Sequence, residues 1–167
     1  FMAAPLIKTI KEISKKKRGP IIYMSPQGKQ LNQKKIISFS KLKHLTIICG
    51  RYEGIDQRVI DNYVDEEVSI GDFILSGGEY AALCMIDAIS RHIPGILGNK
   101  DSYLKDTFSN GILKEDVYTK PEIFDSLAVP EILLSGNHQK IKTWKSENSL
   151  LKTCLLYTSD AADDLVG

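Results

Sequence analysis

The sequence predicts an α/β protein in which a parallel sheet is covered by helices on both faces. Three observations predict it. Short β-type runs alternate with segments of helical apolar spacing, and three of those runs end in glycine-bearing loops. The 167-residue chain is also 43% hydrophobic and 26% charged, a globular balance with enough apolar content for one core. At this length folding removes roughly two-thirds of the extended chain's surface from water, so neither disulfides nor a structural metal is needed and a single domain is expected.

The elements follow in chain order. Pro5 precedes Leu6, Ile7, Ile10 and Ile13, with Lys8, Lys11 and Lys15 on other faces, so the spacing predicts an amphipathic helix that stops near Gly19-Pro20. Residues 21–25 form a short strand ended by Pro26-Gln27-Gly28, residues 31–42 a helix, and residues 44–49 a second strand broken by Gly50-Arg51-Tyr52-Glu53-Gly54. Ile55, Val59 and Ile60 predict a short helix to residue 63, residues 67–70 a third strand, and residues 71–78 a loop. Tyr80, Leu83, Ile86 and Ile89, with Ala81, Ala82 and Ala88, predict the longest helix, ending before Pro94-Gly95.

Residues 98–116 are polar and lack sustained periodicity, a candidate lid because a compact domain rarely carries so long a loop without a use. Residues 118–121 and 129–135 read as a return to the sheet, and a further helix begins at His138. The stretch 154–167 lacks a core pattern and is not expected to continue that helix. It reads as an atypical tail, foreign or read-through, behind a domain of residues 1–153. The abrupt start Phe1-Met2-Ala3-Ala4, with no capping residue, adds to the reading of a fragment.

The net charge of +1 conceals an asymmetry: eleven basic residues and one acid in 1–43, two against nine in 44–90, and nine against eleven in 91–167. The run Lys15-Lys16-Lys17-Arg18, with Lys8 and Lys11 behind it, suits nucleic-acid phosphates and equally an ordinary solvated face. Cys49, Cys84 and Cys154 fit neither a disulfide framework nor a zinc knuckle, and Cys49 and Cys84 are expected to be buried small hydrophobes. His44, His92 and His138 have no metal-ligand spacing. No apolar run is long enough to span a bilayer and no signal-peptide pattern opens the chain, so the expectation is a soluble cytoplasmic protein without a membrane partner.

In an open parallel sheet the ligand crevice lies beyond the carboxyl ends of the strands. Three loops follow predicted strands here: Ser25-Pro26-Gln27-Gly28, Gly50-Arg51-Tyr52-Glu53-Gly54, and the ten residues from Ile70 to Glu79. Glycine lets backbone approach a flat ligand closely, so together they suit a nucleoside-like molecule. Walker, dinucleotide-fingerprint and nucleophile-elbow motifs do not occur.

The stretches Tyr23-Met24-Ser25-Pro26-Gln27-Gly28, Cys49-Gly50-Arg51-Tyr52-Glu53-Gly54-Ile55-Asp56, Ser69-Ile70-Gly71-Asp72-Phe73-Ile74-Leu75-Ser76-Gly77-Gly78-Glu79, Ser90-Arg91-His92-Ile93-Pro94-Gly95 and Leu134-Ser135-Gly136-Asn137-His138 closely resemble, in order and spacing, the bacterial tRNA (guanine-37-N1)-methyltransferase family. The resemblance covers about residues 2–153. It implies a SPOUT-type parallel sheet with a deep trefoil knot, a homodimer with its active site at the subunit seam, tRNA as partner and S-adenosylmethionine as methyl donor. Family members carry further N-terminal strands and a C-terminal helical tRNA-gripping domain, so the chain is expected to be truncated at both ends.

The resemblance also implies residue roles. Asp106 is the expected general base and Arg91 the cation that stabilises charge on the target base. Gly50 and the run Ile70, Gly71, Asp72, Phe73, Ile74 and Leu75 are expected to contact adenosine, with Tyr23, Pro26, Tyr52, Gly77 and Gly78 shaping the pocket and Glu53 orienting the methionine end. Mg2+ dependence is implied at family level, with no ligand cluster to assign. Two other readings stay open: a non-catalytic cofactor or RNA-binding module, and a SPOUT enzyme acting on ribose 2′-hydroxyls.

Overall fold

The computed structural model describes residues 2–13, 15–51, 54–96 and 111–163. They fall in two compact units, residues 1–100 and 101–167. In the first unit, period-two alternation at Ile21-Ile22-Tyr23-Met24 sets the architecture, because successive side chains of a strand point to opposite faces. Strand β1 (Ile21–Gln30) lies between β2 (Thr46–Cys49) and β3 (Glu66–Ser69), and both neighbours run parallel to it.

On one face Ile21 and Tyr23 pack with Ile10, Ile48 and Val59 beneath helices α1 (Ala3–Glu12) and α4 (Gln57–Tyr63). On the other, Ile22 and Met24 pack with Ile36, Phe39, Val68, Ala81, Ala82 and Met85 beneath α3 (Gln33–Ser40) and α5 (Gly78–Ser90). The parallel sheet with helices on both faces is therefore observed. Helix α1 has no side-chain cap at Met2 and is held by the burial of Ile10, after which the single turn α2 (Lys15–Arg18) leads into β1. Asn32 caps α3 by accepting from the Lys35 N–H at 2.9 Å, and the Lys35 ammonium reaches Glu66 of β3 at 2.6 Å.

Several details differ from expectation. Strand β1 does not end at Ser25: residues 25–28 form a bulge, and the strand re-engages so that both Met24 and Lys29 sit opposite Val68. Pro26, which has no N–H to give the ladder, falls inside that bulge. The buried side of α5 is Ala81, Ala82 and Met85, whereas Tyr80, Leu83 and Ile86 point outward. Cys84, four residues after Tyr80, shares the outward side and is exposed, and Cys49 is only half-buried.

The expected return to the sheet is not seen among the described residues of the second unit. Strands β4 (Ile123–Phe124) and β5 (Leu127–Ala128) form a separate antiparallel hairpin, turned by Asp125 and Ser126 in the left-handed region. Residues 118–121 form no strand, and α6 (Glu131–Leu134) occupies the stretch expected to be extended. Helix α7 (His138–Asp163) continues into the predicted tail as far as Asp163, with neither Gly nor Pro to interrupt it. The segment before the hairpin is strapped to α7. Asp116 accepts from Asn148 and Lys152, Lys145 pairs with Glu115 at 2.9 Å, and the Leu113 N–H donates to the Thr153 hydroxyl. No helix among the described residues is long and apolar enough to cross a membrane.

Candidate functional site

The chain passes from β1 to β2 on one side and then crosses back to β3 on the other, so strand order reverses at β1. Loops leaving such a reversal point diverge and open a crevice at the carboxyl tips of the strands. A cavity of about 370 Å³ lies there, inside the range of roughly 300–1,000 Å³ typical of small-molecule sites.

Each wall has a local cause. Tyr23 is buried at the end of the alternating run, and its ring lies against Gly50. Burial, and next the charge of Glu67 beside it in the strand register, push the Tyr23 phenol above its ordinary value and keep it neutral. The Ser69 hydroxyl donates to the Gly71 carbonyl at 3.0 Å and accepts from the Gly71 N–H at 3.1 Å. This fixes Gly71 at φ +152°, a conformation that favours glycine. The chain then turns through Phe73, whose N–H donates to the Gly71 carbonyl, and carries Ile74 and Leu75 along the cavity.

The loops after β2 and β3 are stitched together at their far ends. Arg51 and Gly77 form an antiparallel bridge, and the Gly78 N–H donates to the Gly50 carbonyl at 2.8 Å. A Cβ at position 78 would sit 3.0 Å from the Cys49 Cα and 3.1 Å from the Gly50 nitrogen, so glycine permits the approach. Outside the bridge, Arg51 Nε donates to Glu79 Oε1 at 2.7 Å and holds the Glu79 carboxyl below the usual range. Beyond Gly54, Asp56 caps α4: its carboxylate accepts from the Arg58 backbone N–H and from Nε and Nη2 of the Arg58 guanidinium. That fork lowers the Asp56 pKa to about 2.

Of the residues assigned in advance to the methyl donor, the cavity brings together Tyr23, Pro26, Gly50, Ile70, Gly71, Phe73, Ile74, Leu75, Gly77 and Gly78. Asp72 is not among its lining residues, and neither is Arg91. Tyr52, Glu53 and Asp106 lie outside the described residues, as does most of the candidate lid, residues 98–110. Arg91 caps the carboxyl end of α5 and is exposed. The next residue, His92, accepts from Gln33 Nε2 at 2.8 Å and ties that end to α3. The sequence reading missed Ser69, Glu67 and Arg51 in the wall. Ser69 and Arg51 stood inside the quoted motifs, and only Glu67 needed the register to reveal it. Among the described residues no group of three or more His, Cys, Asp or Glu side chains gathers as for a metal.

A parallel sheet with a glycine-walled crevice at its reversal point defines an α/β protein equipped to take a nucleoside-sized ligand at its strand tips. Comparison with known proteins makes this specific. The profile of the tRNA (guanine-1)-methyltransferase TrmD family matches residues 1–160, and the chain belongs to that family. It is 55% identical over 152 residues to the tRNA (guanine-N(1)-)-methyltransferase of Buchnera aphidicola subsp. Schizaphis graminum, covering 90% of this chain and 58% of that protein. Proteins of the same name are 52% identical in Pseudoalteromonas translucida (93% of this chain, 62% of the relative) and 47% identical in Finegoldia magna (90% and 64%). The chain thus spans about three-fifths of the length of each of these three relatives.

Proposed function

We propose that this chain carries the methyl-donor site of an S-adenosylmethionine-dependent enzyme that methylates N1 of guanosine 37 in tRNA. The observation that carries the reading is the cavity: three loops of one family's motifs meet around a space of nucleoside size. Main-chain groups of Gly50, Ile70, Gly71, Phe73, Ile74 and Leu75 are proposed to hold the adenosine, with Tyr23, Pro26, Tyr52, Gly77 and Gly78 shaping the pocket and Glu53 at the methionine end. The donor, when bound, supplies a methyl group on a sulfonium.

The chemistry requires that guanine lose its N1 proton as N1 attacks the methyl carbon, the carbon–sulfur bond breaks, and charge shifts toward O6. Asp106 is proposed to take the proton. Arg91, at the carboxyl end of α5, is proposed to donate to O6. The Arg51–Gly77 bridge, which brings the loop after β3 back across β1 to the loop after β2, supports a SPOUT-type trefoil knot. The outward apolar residues of α5 support a homodimer with its active sites at the seam. A cytoplasmic location follows from tRNA as substrate, and Mg2+ enters at family level with no ligand residue assigned.

The test is methyl transfer from labelled donor to unmodified tRNA, with the product nucleoside identified by mass spectrometry. 1-Methylguanosine supports the proposal, and a 2′-O-methylated nucleoside overturns the ring-nitrogen chemistry. Asp106→Ala is expected to abolish transfer and leave S-adenosylhomocysteine affinity within about twofold. Donor binding by the wild type without any transfer would support a non-catalytic binding module instead.

A further inference from the structure

We propose that the Arg51–Glu79 ion pair is a clasp that closes the donor cavity, making Glu79 a positioning residue for the methyl donor; this rests on the cavity reading above. The two loops that wall the cavity leave different strands, and among the described residues they are joined by the Arg51–Gly77 bridge and the Gly78-to-Gly50 hydrogen bond. The ion pair spans the same junction from outside, with Arg51 on the first loop and Glu79 on the first turn of α5. Arg51 lines the cavity and Glu79 does not. Replacing Glu79 therefore takes no side chain out of the cavity wall and acts through the way Arg51 and the junction are held.

The pair is half-exposed, with side-chain exposures of 56% and 43%, so its effect on global stability is expected to be small. Its effect on the junction that it spans directly is expected to be larger. A negative side chain in the first turn of α5 is favourable there in its own right, and this separates two variants. Glu79→Gln keeps an acceptor for Arg51 Nε without the charge, and Glu79→Ala removes both.

The experiment measures S-adenosylhomocysteine affinity by calorimetry for the whole chain and both variants, together with Tm and hydrogen exchange at the Gly78 amide. Glu79→Ala is expected to weaken binding roughly three- to tenfold and to speed exchange at Gly78, with Glu79→Gln between it and the wild type and Tm nearly unchanged. Equal affinity and equal Gly78 protection in Glu79→Ala would overturn the clasp while leaving the cavity reading intact. Absence of binding by the wild type would overturn the cavity reading, and the clasp with it. Weaker binding with unaltered Gly78 exchange would also overturn it, because the loss would then not run through the junction.

Discussion

Asp56 does two jobs with one carboxylate, since it accepts the Arg58 N–H that opens α4 and engages the Arg58 guanidinium through both oxygens. Both interactions favour the ionised form, which is why its pKa falls from 3.8 to about 2. A carboxylate depressed on folding contributes stability above its unfolded value of about 4, and that contribution is lost as pH falls through the folded value. An NMR titration should place the Asp56 midpoint near 2, and in Asp56→Asn the melting temperature should lose part of its dependence on pH between about 4 and 2. Gly78 makes a sharper demand. Its Cα faces the backbone of Cys49 and Gly50, so Gly78→Ala must push the two loops apart. We expect donor affinity to fall on the order of tenfold, with a modest loss of Tm, measured by calorimetry and thermal melting. The glycine's importance was legible in the motif, but the atoms it must clear were not, because they come from another loop.

Met85 is fully buried in the middle of α5, between the sheet and α3. Met85→Ala should destabilise the first unit by about 2–5 kcal/mol, read from urea denaturation, because the surrounding side chains of three elements cannot all collapse onto the space. The same helix shows how far apolar spacing carries a sequence reading. Periodicity located α5 correctly, yet its large side chains Tyr80, Leu83 and Ile86 face outward while small Ala81 and Ala82 face in. Close packing against the sheet selects small residues, and hydrophobicity alone does not tell an inner face from an outer one. The three strands were legible from β-type runs between turn residues. The return of β1 after its bulge was not, since the pairing of Lys29 and Gln30 with β3 depends on a partner some forty residues away. In the second unit the Asp125-Ser126 turn was passed over because neither residue is glycine, although both adopt positive φ. The continuation of α7 was missed because a helix needs no amphipathic pattern where nothing breaks it.

For the whole molecule the open question is whether one chain suffices. The outward side of α5 presents Tyr80 at 62% exposure and Leu83 at 60%, with Ile86 beyond them, a contiguous apolar surface of the sort that marks a protein contact. Under the proposed seam, Asp106 of one subunit serves the donor held by the other. Light scattering should then report a dimer for the wild type and a folded monomer for Leu83→Glu, with methyl transfer lost in step. Complementation tests the seam more directly. Asp106→Ala homodimers lack the base at both sites, and Gly78→Val homodimers lack a usable donor cavity at both. A mixed dimer has one site with the intact cavity of the first variant and the Asp106 of the second, and one site with neither. After subunit exchange at equal concentrations half the dimers are mixed, so activity should recover to about a quarter of the wild type from two parents that show almost none. If each subunit supplied its own base to its own donor, every site in the mixture would lack one component and no activity would return.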